Sequence, residues 1–362
     1  MTFAAAALAL AAGALGWVRF VVVPSWNSAA TPVAGVAHAR AATPPPPALG
    51  RRVVVMVLDG LGYEAASASE ELAPLRRAGA FRQMDAAFPT FTSPAIASMV
   101  LGLSPRDSGV RLNGDETGAP GLDSVLASAW SSGVFVRVRS RGYPPFERLV
   151  RPPEGADVVR GRWAFVADRA IARALPAPTS DGRHAIETWW VHLGEIDDAG
   201  HRCGSSCDAY REATRHAGET VAATAAMLDP SLDLLLVVSD HGMREEGGHG
   251  GDEAGLERAF LLAWGARVRA GAELEPRPLR DFAPTAAVAM GVAAPSSSLG
   301  APMLDIWDLS AAESAAALVV PFEQASAYAC AVDGHPRCAS ATDARASLAR
   351  GEGTDEALAI LR

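Results

Sequence analysis

The chain has 362 residues, 49% of them hydrophobic, and a net charge of −9. This length and apolar content support one large α/β domain or two smaller ones and argue against a disordered chain. The acidic balance gives no electrostatic reason to expect a nucleic-acid polymer as a partner. All 32 basic residues are arginine, which excludes a lysine acting as Schiff base, general base or phosphate-binding residue.

The first 50 residues divide into an apolar segment and a linker. Phe3 to Val18 contains no charged residue, and the apolar run resumes after Arg19. About 20 apolar residues can serve as a signal peptide or span a bilayer, so residues 1–23 predict export or a single membrane anchor. A buried Ala-rich helix is the alternative. Residues 24–50 are rich in Pro and Ala, which predicts an extended linker. The expected location is extracytoplasmic, either periplasmic or secreted.

Four cysteines occur as two near pairs, Cys203 with Cys207 and Cys330 with Cys338. Close pairs fit two local disulfides, which would indicate an oxidising compartment. A zinc site made of all four thiolates is the alternative, although the spacings lack the two-residue knuckles that such sites favour.

Strand patterns alternate with helix patterns from residue 51 onward. The predicted strands are 52–58, 134–138, 187–193, 232–238 and 259–264, and the predicted helices are 66–79, 95–103, 122–132, 208–228 and 281–290. This alternation predicts an α/β fold with a doubly wound, mostly parallel sheet flanked by helices. The predicted units are a catalytic domain at 51–308, with a possible cap or insertion at about 140–183, and a helical C-terminal extension at 309–362.

Three predicted strands are each followed by a carboxylate, namely Asp59, Asp197 and Asp240. Because the carboxyl ends of parallel strands lie along one edge of a sheet, we expect these groups to converge. Three histidines lie close to them in the sequence, namely His201, His241 and His249. Three carboxylates and three imidazoles are too many for one tetrahedral zinc with an open position, and they fit two metal ions.

A nucleophile is expected at Thr92, shortly before the predicted helix at 95–103. Helix amides would face a bound phosphoryl group there, and a metal would lower the pKa of the hydroxyl. Two ions about 4 Å apart suit an in-line phosphoryl displacement. Each residue alone has a structural alternative, such as a helix cap for Thr92 or a turn for Asp59. The combined spacing of these residues favours a metal-dependent catalytic site over separate structural roles.

Five motifs follow the order found in a known family. They are Val57-Leu58-Asp59-Gly60, Phe88-Pro89-Thr90-Phe91-Thr92-Ser93-Pro94 running on to Pro105, Asp197-Asp198-Ala199-Gly200-His201, Ser239-Asp240-His241-Gly242-Met243, and Asp281-Phe282-Ala283-Pro284-Thr285. Over about residues 51 to 308, the chain resembles the alkaline phosphatase superfamily, and within it the type I phosphodiesterase/nucleotide pyrophosphatase branch. The stretch from His249 to Gly265 is most similar to the phosphatase-type domain of GPI ethanolamine phosphate transferases.

The resemblance implies an alkaline phosphatase-like fold with two zinc ions, other divalent metals being an alternative. One ion would be held by Asp197, His201 and His249, and the other by Asp59, Asp240, His241 and the Thr92 oxygen. The implied activity is hydrolysis of phosphoesters, with diesters favoured, through a phosphothreonine on Thr92. Asn113 matches the asparagine with which nucleotide pyrophosphatases hold a phosphate oxygen, although Asn-Gly is also a turn signal.

Departures from the family pattern leave other functional interpretations open. Phe91 stands where many nucleotide pyrophosphatases have lysine, which weakens the expectation of a nucleotide substrate. The expected partner is a small-molecule, lipid or glycan phosphoester. A phosphotransferase that moves a phosphoethanolamine-like head group, a phosphomonoesterase, and a metal-binding chain without turnover are the alternatives. A Cys203–Cys207 disulfide would stiffen the loop after His201, with Cys203 as an extra metal ligand the alternative.

Overall fold

The structure is a computed structural model that describes residues 44–114, 122–140, 154, 156–160, 186–271, 274–331, 347–348, 350 and 353–361. The predicted signal or anchor, most of the linker, most of the possible cap and the pairing of Cys330 with Cys338 lie outside the described residues. Among the helices that the structure describes, none combines the length and the apolar character needed to cross a bilayer.

One eight-stranded sheet forms the centre of the fold, with the strand order β4-β3-β5-β1-β6-β7-β2-β8. The strands are β1 (Arg52–Leu58), β2 (Ala80–Asp85), β3 (Phe135–Ser140), β4 (Asp157–Arg160), β5 (Glu187–Leu193), β6 (Asp233–Val238), β7 (Arg258–Gly265) and β8 (Arg277–Pro278). Among these strands β7 alone runs antiparallel to its neighbours, β6 and β2. The predicted doubly wound, mostly parallel sheet is confirmed.

Helices cover both faces of the sheet. They are α1 (Tyr63–Ala68), α2 (Ala73–Ala78), α3 (Thr92–Leu101), α4 (Pro105–Ser108), α5 (Val125–Ser131), α6 (Glu195–Cys203), α7 (Asp208–Ala225), α8 (Phe282–Met290), α9 (Ala311–Ala331) and α10 (Thr354–Leu361). Helices α3, α5, α8 and α9 pack on one face of the sheet, and α1, α2, α6 and α7 on the other.

Strand β1 shows why the sheet needs both helical layers. Val53, Val55 and Val57 belong to one hydrophobic cluster, whereas Val54 and Met56 belong to the other. Successive side chains of a strand point to opposite faces, so a strand buried on both faces is apolar throughout. Each such burial contributes roughly 1.5–3 kcal/mol relative to an exposed side chain.

Three local predictions differ from the structure. The single helix predicted at 66–79 is two short helices, because Ser69 has an extended backbone and Pro74 begins a new first turn. Strand β2 was not predicted, and its buried and half-buried residues alternate as in a strand with one covered face. The segment after β5 is helix α6, so Asp197 lies in a helical first turn and not on a strand end.

A buried ion-pair network ties β1 to both of its neighbours at the edge where these strands begin. The Arg52 Nε atom lies 2.6 Å from Glu187 Oε1, and Arg52 Nη1 lies 3.6 Å from Asp233 Oδ2. The ladder register places Arg52 opposite both residues. All three side chains are at least nine-tenths buried. Arg137 also pairs with Glu187 and Arg51 with Asp233, so Arg52 is the buried cation that the two carboxylates share.

Replacement of Arg52 by alanine is expected to destabilise the fold by about 3–5 kcal/mol, because it removes the buried cation that two buried carboxylates share. The measurement is the free energy of unfolding in urea. Arg51→Ala is the matched control: the Arg51 side chain is 51% exposed in its own ion pair with Asp233, and its loss should cost less than about 1 kcal/mol. Equal losses for the two variants would contradict a buried network.

Candidate functional site

The parallel pairing of β1 with β6 places two carboxylates side by side. The register aligns Val57 with Val238, so Asp59 and Asp240 follow on neighbouring strands at the same edge. Asp240 Oδ1 accepts the backbone N–H groups of Gly60 and His241, each at 3.0 Å. His192 Nε2 lies 3.0 Å from Asp59 Oδ2. One oxygen of each carboxylate is thus held, and the other faces the site.

The oxygens that face the site lack hydrogen-bond donors. Asp59 Oδ1, Asp240 Oδ2 and Asp197 Oδ1 are buried, and among the described residues none of them accepts a hydrogen bond. An unpaired anionic oxygen in the interior is costly, and proteins compensate for it with a cation or a proton. The three oxygens therefore fit a metal site better than a hydrogen-bonded polar network.

The orientation of two histidines supports the same conclusion. His241 Nδ1 lies 2.9 Å from the carbonyl oxygen of Gly242, and His249 Nδ1 lies 2.9 Å from that of Thr90. A carbonyl only accepts, so each Nδ1 carries the hydrogen and each neutral ring has its lone pair on Nε2. Both Nε2 atoms point at carboxylate oxygens, and metal-binding histidines show this same outer hydrogen bond.

The distances within each group match those between neighbouring metal ligands. His249 Nε2 lies 3.3 Å from Asp197 Oδ1 and 3.1 Å from His201 Nε2, and His201 Nε2 lies 3.5 Å from Asp197 Oδ1. His241 Nε2 lies 3.3 Å from Asp240 Oδ2 and 3.5 Å from Asp59 Oδ1. Ligand atoms on a tetrahedron around zinc are roughly 3.3 Å apart. The residues present fit a divalent metal at each group.

The two groups are adjacent. The rings of His241 and His249 stack with centroids 3.8 Å apart. The ligand atoms of Asp197, His241 and His249 all lie within 4.8 Å of one another, as do those of Asp59, Asp240 and His241. His241 therefore lies between the groups. The His201 side chain is 52% exposed, so the site opens to solvent beside α6.

The pKa values show the negative potential of this site. Burial raises the pKa of the Asp59 carboxyl well above its usual value, and the charges of Asp240 and Asp197 raise it further. Burial lowers the pKa of His241, which favours the neutral, ligating ring. Burial alone would lower the pKa of His249, but the close contact with Asp197 and the charge of that carboxylate outweigh burial and raise the value. A metal ion would take the place of that proton.

Thr92 is the first residue of α3, and its side chain does not cap the helix. The cap position is Phe91, whose side chain makes no capping hydrogen bond. The Thr92 hydroxyl is buried, and its oxygen lies 3.2 Å from His241 Nε2. The alternative of a helix cap for Thr92 is therefore wrong. The structure places the hydroxyl beside the Asp59, Asp240 and His241 group.

Asn113 lies at the same helix end, because its side-chain Oδ1 accepts the backbone N–H of Ser93 at 2.9 Å. This bond uses the carbonyl oxygen of the amide. The remaining amide N–H groups are the part of Asn113 that could donate to an anion near Thr92.

A disulfide joins Cys203 to Cys207 at the junction of α6 and α7, as one of the two predicted pairs. The intervening turn packs on the segment that leads to His249, because Ser205 N–H bonds to the Arg244 carbonyl oxygen at 2.9 Å. Gly204 permits this approach, since an added Cβ would lie 1.7 Å from the Glu245 carbonyl oxygen. The disulfide thus sits where the helix of His201 meets the loop of His249.

Two residues at the site were not anticipated from the sequence. His192 is buried in β5 and orients Asp59. Thr90 is buried and contacts the loop that carries His249. A polar residue within the apolar run of β5 was the one available signal for His192. Thr90 stands within the motif at 88–94, but no pattern there indicates its contact with His249.

Comparison with solved structures identifies the fold. The structure of murine ectonucleotide pyrophosphatase/phosphodiesterase 5, an inactive variant in complex with AMP, aligns with a TM-score of 0.57 at 13% identity, covering 67% of this chain and 95% of that one. A protein in the alkaline phosphatase superfamily from Vibrio parahaemolyticus aligns with a TM-score of 0.54 at 14% identity, covering 76% of this chain and 73% of that one. The chain has an alkaline phosphatase-like fold, as the sequence resemblance implied.

A curated relative matches at the level of sequence. GPI ethanolamine phosphate transferase 2 of Aspergillus fumigatus is 24% identical over a 295-residue alignment that covers 71% of this chain. The chain spans 38% of the length of that transferase. No family model matches the chain.

Zinc titration of the metal-free protein is expected to show two bound ions, and Asp197→Asn or Asp240→Asn should each remove about one, because each change takes a ligand from one group. The measurement is equilibrium dialysis with metal analysis. Asp229→Asn is the matched control, since Asp229 is exposed and bonds to Ser231 outside the site. Two ions retained in both site variants would rule out these ligand groups.

Proposed function

We propose that the chain is a metal-dependent hydrolase of phosphoesters, with diesters as its preferred substrates. The observation that carries this proposal is the position of the Thr92 hydroxyl, at the N-terminus of α3 and 3.2 Å from His241 Nε2. A hydroxyl beside two groups of metal ligands has the arrangement that phosphoryl transfer to an enzyme nucleophile requires. The alkaline phosphatase-like fold and the order of the motifs support it.

Each ligand group has a proposed role. Asp197, His201 and His249 would hold one divalent ion, and Asp59, Asp240, His241 and the Thr92 oxygen would hold the other, with zinc as the proposed metal. When bound, such ions lower the pKa of a coordinated hydroxyl and offset charge on the oxygens of a phosphoryl group.

The chain's own residues carry the reaction. The Thr92 hydroxyl gives up its proton, and its oxygen forms a bond to phosphorus as the bond from phosphorus to the departing alkoxide breaks. That alkoxide takes up a proton. A water oxygen then bonds to phosphorus as the bond from phosphorus to Thr92 breaks, a water proton returns to the Thr92 oxygen, and the phosphomonoester leaves. The N-terminal amides of α3 and the Asn113 side-chain amide would donate hydrogen bonds to the non-bridging oxygens.

The charge near the nucleophile favours a diester. A phosphodiester carries one negative charge, whereas a monoester dianion carries two. Asn113 offers a neutral donor, and Phe91 is apolar. The chain has no lysine that could add a positive charge. A site with neutral donors and buried carboxylates suits the lower charge of the diester.

Purified protein with zinc is expected to hydrolyse bis-p-nitrophenyl phosphate with a higher kcat/KM than p-nitrophenyl phosphate. Thr92→Ala should lower that value roughly 10³-fold or more, because the nucleophile is lost while the metal ligands remain. Release of p-nitrophenol measures both. Ser231→Ala removes an exposed hydroxyl away from the site and serves as the control.

Two results would contradict this proposal. If Thr92→Ala kept full activity, the nucleophile would be another group. If the protein bound two zinc ions and turned over neither ester, the chain would be a metal-binding protein without this hydrolytic activity.

The match to a GPI ethanolamine phosphate transferase favours phosphoryl transfer as a second candidate function. Here an alcohol in place of water would attack the phosphothreonine, and the product would be a new phosphodiester. Addition of an alcohol acceptor to the assay distinguishes the two. A transferase should release p-nitrophenol faster and form the acceptor phosphodiester, detected by phosphorus NMR, whereas a hydrolase should form mainly p-nitrophenyl phosphate.

A further inference from the structure

Thr90 joins two segments of the site that are far apart in the sequence. One is the β2–α3 segment (residues 86–91), which leads to Thr92, and the other is the β6–β7 loop (residues 239–257), which carries His249. The Thr90 side chain is buried and 1% exposed. Its position between a proposed nucleophile and a proposed metal ligand suggests a role beyond packing.

Three hydrogen bonds connect Thr90 to the β6–β7 loop. The Thr90 hydroxyl donates to the carbonyl oxygen of Gly251 at 2.7 Å and accepts the N–H of Gly250 at 3.1 Å. The Thr90 carbonyl oxygen accepts the Nδ1–H of His249 at 2.9 Å. The hydroxyl therefore fixes the loop backbone directly after His249, and the carbonyl fixes the ring of His249 itself.

The ring of Phe91 also packs between the β2–α3 segment and the β6–β7 loop. It packs edge-on against His249 with ring centroids 6.0 Å apart. A Cβ on Gly250 would lie 2.1 Å from the Phe91 ring, and Gly250 has φ of +103°, so glycine is required for this approach. The loop backbone at Gly250 therefore packs directly against the β2–α3 segment, close enough for the Thr90 hydrogen bonds to form.

We infer that Thr90 is a positioning residue that holds His249 in its metal-ligating orientation through the hydroxyl bridge to Gly250 and Gly251. With Nδ1–H bonded to the Thr90 carbonyl, the lone pair on Nε2 points at Asp197 Oδ1 and His201 Nε2, 3.3 and 3.1 Å away. Loss of the hydroxyl would free the loop backbone at Gly250. The His249 ring would then no longer be held beside the Thr90 carbonyl. This inference rests on the proposed function for its importance to turnover, and on geometry alone for its effect on metal binding.

Zinc binding to the full chain tests the inference without reference to turnover. Competition with a chromogenic chelator should show that Thr90→Val weakens one of the two zinc sites by roughly 10–100-fold, the usual effect of removing an outer hydrogen-bonding partner of a ligand. Valine keeps the shape of threonine and removes the hydroxyl. Thr90→Ser keeps the hydroxyl and should restore affinity close to the wild-type value, which a purely steric role would not produce.

Controls separate positioning from folding. Thr224→Val removes a buried hydroxyl that bonds within α7, and it should leave both zinc affinities unchanged. Urea unfolding checks that each variant is folded. If Thr90→Val is not folded, Thr90→Ala, whose smaller side chain cannot clash, takes its place. In the ester assay, Thr90→Val should lower kcat more than it raises KM.

Equal zinc affinities in Thr90→Val, Thr90→Ala and the wild type would overturn the inference, as would a weakening that Thr90→Ser fails to reverse. If the zinc titrations behave as expected while the wild type hydrolyses no ester, the positioning role stands and the proposed function fails.

Discussion

The site depends on one constraint, the parallel register of β1 and β6 that places Asp59 beside Asp240. Two buried carboxylates on neighbouring strands repel each other, and burial opposes their charged forms. Among the residues that the structure describes, donors reach only one oxygen of each, from Gly60, His241 and His192. What remains is a pair of anionic oxygens in the interior, which is a cost to stability that a bound cation would offset.

The antiparallel strand β7 determines how the remaining groups reach this pair. Because β7 returns directly beside β6, the connection between them stays at the edge of the sheet where the carboxylates lie, and it brings His249 there. The pairing of β7 with β2 then makes β2 run in the direction of β6, so the chain leaving β2 leads to Thr92 at that same edge. A hydrogen bond of 2.7 Å from Ala86 N–H to the Glu257 carbonyl oxygen joins the bases of the two loops.

Much of this could be predicted from the sequence because its determinants are local. An apolar run followed by Asp predicts a buried strand with a carboxylate at its end, as at Asp59 and Asp240. Asp197 was expected on a strand end and lies instead in the first turn of α6. That turn begins at the same edge of the sheet, so the carboxylate reaches the site in either case. The antiparallel β7, the alternating β2 and the division of the 66–79 helix were not foreseen, since periodicity in one segment does not specify its partner.

The contacts that could not be predicted are those between distant segments. His192 and Asp59 are 133 positions apart, and Thr90 and His249 are 159 positions apart. Neither pair leaves a pattern within a window of a strand or a helix, and both contacts orient a candidate metal ligand. The ligand types are set by short motifs, whereas the ligand orientations are set by long-range hydrogen bonds that exist only once the sheet has formed. A change at His192 would leave every motif intact and still alter the candidate metal site. For this reason, an intact set of motifs is a weaker indication of activity in this chain than intact motifs together with His192.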